Sequence, residues 1–190
     1  MKVYLSDLKD ILNSPELIFL YEEKLSVADK QRYHNMTDNH RKLQFLVARA
    51  LIYDVCKTAP TITPNGKPLV PEGYISLAHS GDFIILAVDD EPVGVDIENT
   101  QKDIPFEKLT KRLGFNINNP TKEKFLRHFT AYEADFKLGK EGEKRHLFYS
   151  INTFIICVSM LNNKDNIKFI KSIPFLKEKP FNILPMKEEI

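Results

Sequence analysis

The sequence contains only two cysteines, Cys56 and Cys157, which are far apart in the chain and lie in apolar surroundings. They show neither the spacing of metal ligands nor the pattern of a disulfide-rich secreted domain, so we expect both to be reduced core residues. No apolar run reaches the length of a membrane span, and charged residues interrupt the first ten positions, where a signal peptide would need an apolar segment. We therefore expect a cytoplasmic protein with no membrane partner.

An excess of charge of either sign is also missing. Lys and Arg total 27 and Asp and Glu total 26, which leaves a net charge of +1 at pH 7. Such a balance provides no field that would attract DNA, RNA or an anionic membrane. Because the sequence also lacks a basic stripe and an exposed aromatic platform, nucleic acid is not expected as a partner. Any anionic ligand must be held by a local cluster of basic residues.

The chain has 190 residues, of which 43% are hydrophobic, enough for one large domain or two small ones with a proper core. Met1 to Leu8 alternates like a first strand, and Ser14 marks the start of a helix. Apolar residues recur at helical spacing from Asp29 to Lys57, with a polar interruption, which predicts one long helix or a broken pair. Thr61 to Gly73, with three prolines and two glycines, is typical of a surface loop.

The rest of the chain alternates between strand and helix patterns. Three β-rich runs separated by turn sequences predict an antiparallel meander: Ile75 to Ala78, Phe83 to Val88 and Val93 to Glu98. Two helical patterns and two further strands follow: about Phe106 to Leu113, Thr121 to Leu138, Phe148 to Leu161 and Ile167 to Ile170. This order predicts an α+β architecture.

One internal similarity links the two halves, because the run Phe83 to Val88 resembles the run Phe154 to Val158. Apolar strands often look alike, and on these residues alone chance is the simpler explanation. If the repeat is real, the chain consists of two similar subdomains, residues 1–92 and residues 93–190, with a cleft between them for a ligand.

Two carboxylates are expected to share one face of the strand Val93 to Glu98. The strand period of two places Asp96 and Glu98 together and directs Val95 and Ile97 into the core. Mg²⁺ is usually held by one or two carboxylates together with phosphate oxygens and water, which suits such a pair in a partly exposed site. For a lone Asp-x-Glu motif, however, a charged edge strand is the more common explanation.

Glu133 and Lys137 are four residues apart in the predicted helix Thr121 to Leu138, so they share one helical face. In isolation the pair is best explained as a solvated ion pair. Beside Asp96 and Glu98, Glu133 would complete a set of three carboxylates. Lys137 would then offer a cation to phosphate oxygens during transfer.

Other polar residues have weaker signals. His79 and Ser80 lie in the turn that leaves the strand Ile75 to Ala78, and Gly81 permits close approach of a ligand there. Basic residues of the first half would form a local phosphate clamp: Lys30, Arg32, Arg41 and Lys67. Turn histidines and surface basic residues are common, so none of these is specific alone.

Read in order, four motifs resemble those of the 4′-phosphopantetheinyl transferases, in particular the surfactin-synthetase-activating type. The motifs are Asn65 to Pro68 (NGKP), Ile75 to Gly81 (ISLAHSG), Val93 to Glu98 (VGVDIE) and Phe129 to Lys137 (FTAYEADFK). Their order and spacing match over about Ser26 to Gly142, and four linked motifs are far more specific than any one of them. The resemblance reverses the preference for an edge strand and a solvated ion pair.

The resemblance implies a pseudo-twofold α+β fold of two similar subdomains, with coenzyme A and magnesium in the cleft between them. It implies that magnesium and the pyrophosphate are held by Asp96, Glu98 and Glu133. It also implies that the phosphates are contacted by His79, Ser80 and Lys137, and the ribose 3′-phosphate by Lys30, Arg41 and Lys67.

The implied reaction transfers the phosphopantetheine arm of coenzyme A to a serine of an acyl or peptidyl carrier protein. Glu133 would take the serine proton, directly or through water, with His79 and Lys137 beside the reacting phosphates. Magnesium would offset the charge that builds on the bridging oxygen, and adenosine 3′,5′-bisphosphate would leave. The resemblance also implies a monomer.

The sequence departs from the family in two places. Where the family motif has Trp-x-x-Lys-Glu, this chain has Phe129-Thr130-Ala131-Tyr132-Glu133, so a tyrosine replaces the lysine. The segment between Lys137 and Phe154 is short, which predicts that a strand of larger members is missing and that the C-terminal subdomain is trimmed.

These departures keep three alternatives open. One is a coenzyme A-binding homologue with lost or weak transfer. Another is a magnesium-dependent nucleotide hydrolase that uses the same carboxylates, although the sequence shows no nucleophile or second metal cluster in its support. A pure interaction module is the least favoured, because it would not need four linked polar motifs.

Overall fold

The computed structural model describes residues 1–12, 14–162, 166–175, 177–180 and 183–186. Runs of helices and runs of strands follow one another along these ranges, in agreement with the α+β prediction. The helices are α1 Lys9–Leu12, α2 Pro15–Glu23, α3 Val27–Asn35, α4 Asn39–Cys56, α5 Phe106–Leu113 and α6 Lys122–Leu138. The strands are β1 Lys2–Asp7, β2 Thr61–Ile62, β3 Pro68–Leu69, β4 Tyr74–Ser80, β5 Phe83–Asp89, β6 Val93–Asn99, β7 Arg145–Ile151, β8 Phe154–Met160, β9 Lys168–Ile173, β10 Lys177–Pro180 and β11 Leu184–Pro185.

The region Asp29 to Lys57 is a broken pair of helices, because a polar cap begins each member. The Ser26 hydroxyl accepts a hydrogen bond from the Asp29 amide at the start of α3. The Asp38 carboxylate accepts one from the Arg41 amide at the start of α4. Each cap satisfies an amide that a helix start leaves without a partner, and so stabilises a separate beginning.

The first sheet has the strand order β10-β9-β1-β5-β4. β1 is antiparallel to β5, with Asp7 opposite Phe83, and parallel to β9. β4 and β5 form a hairpin in which Ser80 lies opposite Phe83. Its turn begins at Gly81 with a φ of +54°, which glycine adopts without a steric penalty. One face of this sheet packs on α2 and α4 through a cluster that includes Leu8, Tyr21, Leu46, Leu51, Ile84 and Leu86.

The second sheet has the order β11-β7-β8-β6. β6 is antiparallel to β8, with Asn99 opposite Phe154, and β7 and β8 form a hairpin with Ile151 opposite Phe154. Helix α6 covers one face of this sheet through a cluster that includes Phe125, Leu126, Ala134, Phe148 and Cys157. The other face meets the first sheet in a shared core that includes Val3, Leu5, Ile85, Val95, Ile97 and Ile156.

Three sequence predictions need correction. The antiparallel meander is wrong in its third strand, since β6 pairs with β8 and only adjoins β4, where the Val95 amide donates to Ser76 Oγ at 2.9 Å. The run Phe148 to Leu161 is not one strand but β7 and β8, because Asn152 takes a φ of +49° and turns the chain. The segment between Lys137 and Phe154 does hold a strand, β7.

Two smaller expectations concern the cysteines and the loop before β4. Both Cys56 and Cys157 are free thiols, as predicted. Cys157 is buried in the core, whereas Cys56 is only partly buried. Thr61 to Gly73 is largely loop, with the short hairpin β2–β3 within it. None of the described helices is both long enough and apolar enough to cross a lipid bilayer.

Candidate active site

The site is built where β6 lies directly against α6. Gly94 of β6 has no side chain, and a Cβ atom at this position would lie only 1.9 Å from the Ala134 carbonyl oxygen of α6. The two backbones therefore approach each other more closely than any larger residue would allow. This contact holds the polar residues of β6 beside those on the inner face of α6.

Asp96 and Lys137 form the closest pair across this contact. Lys137 Nζ lies 2.5 Å from Asp96 Oδ1, so the ammonium donates to the carboxylate. Asp96 is only 6% exposed, which corrects the expectation of a partly exposed site. Its second oxygen, Oδ2, is buried and has no hydrogen-bond partner among the described residues. Lys137 thus pairs across elements rather than forming the solvated helical pair that its spacing from Glu133 first indicated.

The carboxylates at this site influence one another. Burial raises the pKa of Asp96 to about 6, Lys137 opposes the rise, and repulsion from Glu98 and Glu133 adds to it. Burial also raises the pKa of Glu98, which Lys102 and Lys137 oppose and Glu133 reinforces. A hydrogen bond from the Ser80 hydroxyl favours the charged form of Glu98. Three carboxylates and one ammonium therefore act on one another in this region, and Asp96 is the most buried of the four.

The donor atoms fit a hard divalent cation in type. Asp96 provides a buried carboxylate oxygen without a partner among the described residues, and two further carboxylates carry charge close enough to affect it. Within the described ranges no three His, Cys, Asp or Glu side chains converge into a closed ligand set. Magnesium usually needs only one or two carboxylates, with phosphate oxygens and water completing the shell. The residues therefore suit a metal that binds together with a phosphorylated ligand.

An open pocket of about 510 Å³ adjoins these carboxylates. Its walls come from the start of α4, the β4–β5 turn, and the end of β6 with the loop that follows. It is lined by Asp38, His40, Arg41, Gln44, His79, Ser80, Gly81, Glu98, Asn99, Gln101 and Lys102. Four of the sequence-predicted residues, Arg41, His79, Ser80 and Glu98, are thus brought together here. The Arg41 guanidinium favours an anion on this side of the pocket, and the Asp38 carboxylate that caps α4 lies 3.9 Å from Arg41 Nε and competes with such an anion.

His79 lies at the exposed mouth of the pocket. Loss of water around the ring and the positive charges of Lys137, Arg41 and His40 lower its pKa below the ordinary value. The imidazole is therefore mostly neutral near pH 7, and it acts as a hydrogen-bond donor or acceptor rather than as a cation. Lys137 and Arg41 therefore both act on the His79 ring.

Lys30 and Lys67 do not line the pocket. Lys67 Nζ donates to the Lys137 carbonyl oxygen at 2.6 Å, at the carboxyl end of α6. Burial and the nearby charge of Lys140 lower the pKa of Lys67. Lys67 therefore anchors the end of the helix that carries Lys137, and contact of Lys30 or Lys67 with a 3′-phosphate stays a prediction.

Sequence reasoning missed several residues of the pocket, including Gln44, Gln101 and Lys102. Gln44 Nε2 donates to the Gly81 carbonyl oxygen at 2.8 Å and ties α4 to the β4–β5 turn. No local sequence pattern predicts this contact, because the two partners are 37 residues apart in the chain. Lys102 comes shortly after β6 in the sequence, so the predicted strand could have indicated that Lys102 lies near Glu98.

The raised pKa of Asp96 leads to a stability prediction for the metal-free protein. A carboxyl group with a higher pKa in the folded state binds more protons when folded, so its contribution to stability is full below the unfolded pKa and is lost as pH rises through about 6. We expect the free energy of unfolding of the wild type to fall, relative to Asp96→Asn, by on the order of 3 kcal/mol between about pH 4 and about pH 7. Urea denaturation in the presence of a chelator, repeated across this range, measures the difference. Parallel pH profiles for the two proteins would contradict the assignment.

Comparison with known proteins points to one family. The chain is 57% identical over 37 residues to the 4′-phosphopantetheinyl transferase psf-1 of Bacillus pumilus, which covers 18% of this chain and 16% of that protein. It is 29% identical over 80 residues to the 4′-phosphopantetheinyl transferase Sfp of Bacillus subtilis strain 168, covering 37% of this chain and 36% of the relative. The predicted resemblance to the 4′-phosphopantetheinyl transferases is confirmed. A third relative, a 4′-phosphopantetheinyl transferase of Bacillus subtilis, is 31% identical over 77 residues, or 36% of this chain and 34% of that protein.

These matches are partial. The aligned parts span about a third or less of the length of the curated relatives, and no family model matches the chain. The similarity therefore supports a relationship to this family. That this protein has the activity of the full-length relatives is a proposal.

The departure from the phosphopantetheinyl transferase motif has a structural counterpart. Tyr132, in place of lysine, is 48% exposed, and its ring meets the edge of Phe115 with centroids 5.8 Å apart. Phe129, in place of tryptophan, stacks on Phe125 at 5.7 Å. Tyr132 thus packs α6 against the segment after α5, Phe129 packs on another ring of α6, and neither provides an ammonium.

Proposed function

We propose that this protein transfers the 4′-phosphopantetheine group of coenzyme A to a serine of an apo acyl or peptidyl carrier protein, in a magnesium-dependent reaction that releases adenosine 3′,5′-bisphosphate. The observation that carries the proposal is the contact of β6 with α6, which places Asp96 against Lys137. Glu98 and Glu133 act on the same carboxylate, and a pocket favourable for anions adjoins them. The partial similarity to phosphopantetheinyl transferases supports the same reaction.

The proposal includes a pseudo-twofold arrangement of two subdomains, residues 1–92 and residues 93–190. Strand β1 ends with Asp7 opposite Phe83 of β5, and β6 ends in the same way with Asn99 opposite Phe154 of β8. The hairpins β4–β5 and β7–β8 have strands of 7 residues each. Each hairpin turns through a first residue with positive φ, Gly81 or Asn152. These matching registers support a true repeat behind the similarity of the apolar strands.

Coenzyme A would lie in the pocket between α4 and the end of β6. The Arg41 guanidinium suits a phosphate group, and His79 and Ser80 offer hydrogen bonds from the β4–β5 turn. Lys137 supplies a further cation, since its charge acts on His79. This placement leaves the pyrophosphate next to Asp96, Glu98 and Glu133.

Asp96, Glu98 and Glu133 would hold magnesium, which when bound offsets negative charge on the pyrophosphate. The carrier serine oxygen forms a bond with the β-phosphorus of coenzyme A, and the bond from that phosphorus to the bridging oxygen breaks. The electron pair of that bond stays on the oxygen, which leaves with adenosine 3′,5′-bisphosphate. Glu133 accepts the serine proton, directly or through water, and Lys137 stabilises charge on the phosphate oxygens.

The first test is intact-protein mass spectrometry of an apo carrier protein incubated with this protein, coenzyme A and magnesium. We expect the carrier to gain the mass of one phosphopantetheine, and we expect a chelator to prevent the gain. Tight binding of coenzyme A with no transfer to any of several acyl and peptidyl carriers would instead favour a coenzyme A-binding homologue. The specific observation behind that second candidate is Tyr132, which contacts Phe115 where the family has lysine.

The proposed setting is a cytoplasmic monomer with no membrane or nucleic-acid partner. The near balance of acidic and basic residues supports the absence of a nucleic-acid partner. Release of phosphate from a nucleotide in the absence of any carrier would point instead to a magnesium-dependent hydrolase at the same carboxylates.

A further inference from the structure

We infer that Lys137 is an exchangeable counter-ion of Asp96: it pairs with the Asp96 carboxylate before a cation arrives, and a bound divalent cation releases it toward the phosphates. The inference deepens the proposed function and rests on its metal site. It assigns to Lys137 a coupling role, in which binding of the metal and binding of the phosphorylated ligand favour each other.

The geometry of Asp96 favours the exchange. Asp96 Oδ1 is held by Lys137 Nζ at 2.5 Å, and Oδ2 is buried without a partner among the described residues. A divalent cation at either oxygen would lie close to the Lys137 ammonium. Repulsion between the two positive charges then weakens the contact of Lys137 with Asp96.

The environment of the pair favours movement of the lysine rather than of the aspartate. The Lys137 side chain is 26% exposed and that of Asp96 is 8% exposed. The Lys137 backbone is held, because its carbonyl oxygen accepts the hydrogen bond from Lys67 Nζ at 2.6 Å. The flexible lysine side chain therefore swings from a fixed point at the end of α6.

Charge decides where the released ammonium goes. The three carboxylates repel one another, and a single ammonium leaves this repulsion only partly balanced. A divalent cation in place of the ammonium balances it better, because it brings twice the charge. The positive charge of Lys137 already acts on His79 at the mouth of the pocket. The released side chain thus stays within reach of a phosphate bound beside His79 and Arg41.

The test measures binding of Mn²⁺ alone to the full chain by electron paramagnetic resonance, without coenzyme A or carrier. Lys137→Met removes the competing ammonium and keeps an apolar side chain of similar length. We expect it to bind Mn²⁺ about tenfold more tightly than the wild type, within the usual range of coupling between sites. Lys140→Met is the matched control, since Lys140 is exposed on the same segment and its loss changes the net charge equally. Equal affinities for wild type and Lys137→Met, or an equal gain in Lys140→Met, would overturn the inference.

Addition of coenzyme A gives the second measurement. In the wild type it should tighten Mn²⁺ binding through both the direct phosphate contact and the lysine exchange, whereas in Lys137→Met only the direct contact remains. The expected gain on adding coenzyme A is therefore larger in the wild type. A gain that is the same in both proteins would contradict the coupling role.

A third measurement needs no substitution and so does not depend on whether the variant folds. Acylation of lysines in the wild type, followed by peptide mass mapping, should show that Mg²⁺ increases the reactivity of Lys137, while Lys140 serves as the internal control. Unchanged reactivity of Lys137 would count against its release. The carrier assay separates failure of this inference from failure of the proposed function. If the wild type transfers phosphopantetheine but Lys137→Met binds Mn²⁺ with unchanged affinity, only the exchange is refuted. If the wild type transfers nothing, the proposed function is refuted.

Discussion

Glu133→Gln is expected to reduce the initial rate of phosphopantetheine transfer by about 100-fold or more, the usual loss when a positioned general base is removed. Glutamine has nearly the same shape as glutamate but neither accepts the serine proton nor adds negative charge at the metal site. Because Glu133 is only half-buried on α6, the fold should be retained. The rate is measured by mass spectrometry of the carrier at saturating coenzyme A and magnesium.

The matched control is Glu141→Gln, which makes the same change in charge at an exposed position just beyond α6. Its transfer rate should stay close to that of the wild type. Binding of Mn²⁺ to Glu133→Gln then separates two roles of the carboxylate. A slow variant with normal metal affinity would identify Glu133 as the base, and one with weakened affinity would identify it as a metal ligand. A normal transfer rate would rule out both roles.

Gly94→Ala is expected to have the largest effect on stability. The added Cβ would lie 1.9 Å from the Ala134 carbonyl oxygen and 2.9 Å from the Leu138 amide nitrogen. Both are backbone atoms of α6, so no side chain can rotate away, and β6 and α6 must separate. Overpacking of a buried contact costs about 1–3 kcal/mol, and we expect a value at the upper end of that range. Chemical denaturation measures the change in the free energy of unfolding.

The control for the glycine substitution is Gly66→Ala. Gly66 also loses its flexibility on substitution, but a Cβ there meets no atom within 4 Å. Its φ of +82° makes alanine strained, at a cost of about 1–2 kcal/mol. Gly94→Ala should therefore be the more destabilised of the two and should also lose transfer activity at temperatures where it stays folded, because Asp96 moves away from Lys137. Wild-type stability in Gly94→Ala would mean that the contact of β6 with α6 is looser than the structure shows.

Local sequence patterns predicted the elements of this fold well. The alternation of β6 correctly placed Val95 and Ile97 in the core, since the side chains of a strand alternate between its faces whatever lies around it. The helical spacing after Thr121 predicted α6, and the polar interruption after Asp29 allowed the broken pair that the structure contains. The Asn152 turn between β7 and β8 was missed, although asparagine is a known turn residue.

Long-range pairing was not predictable in the same way. The meander prediction joined β6 to the strand before it, because neighbours in sequence usually pair. The actual partner of β6 is β8, in which Cys157 lies opposite Asp96 and 61 positions further along the chain. No pattern within β6 specifies a partner at that distance, because backbone hydrogen bonds carry no information about which strand supplies them.

The candidate site shows the same difference between what local sequence patterns predict and what tertiary packing decides. The sequence by itself determined which residues are candidates for the chemistry: a period of two puts Asp96 and Glu98 on one face of a strand, and helical spacing puts Glu133 and Lys137 on one face of α6. Only the tertiary structure decided how these residues meet. Packing of α6 over Gly94 buries Asp96 and gives it Lys137 as a partner, and Lys67 is drawn to the end of α6 instead of the pocket. The physical reason is that alternation depends only on neighbouring residues, whereas burial and ion pairing depend on which distant element covers a face.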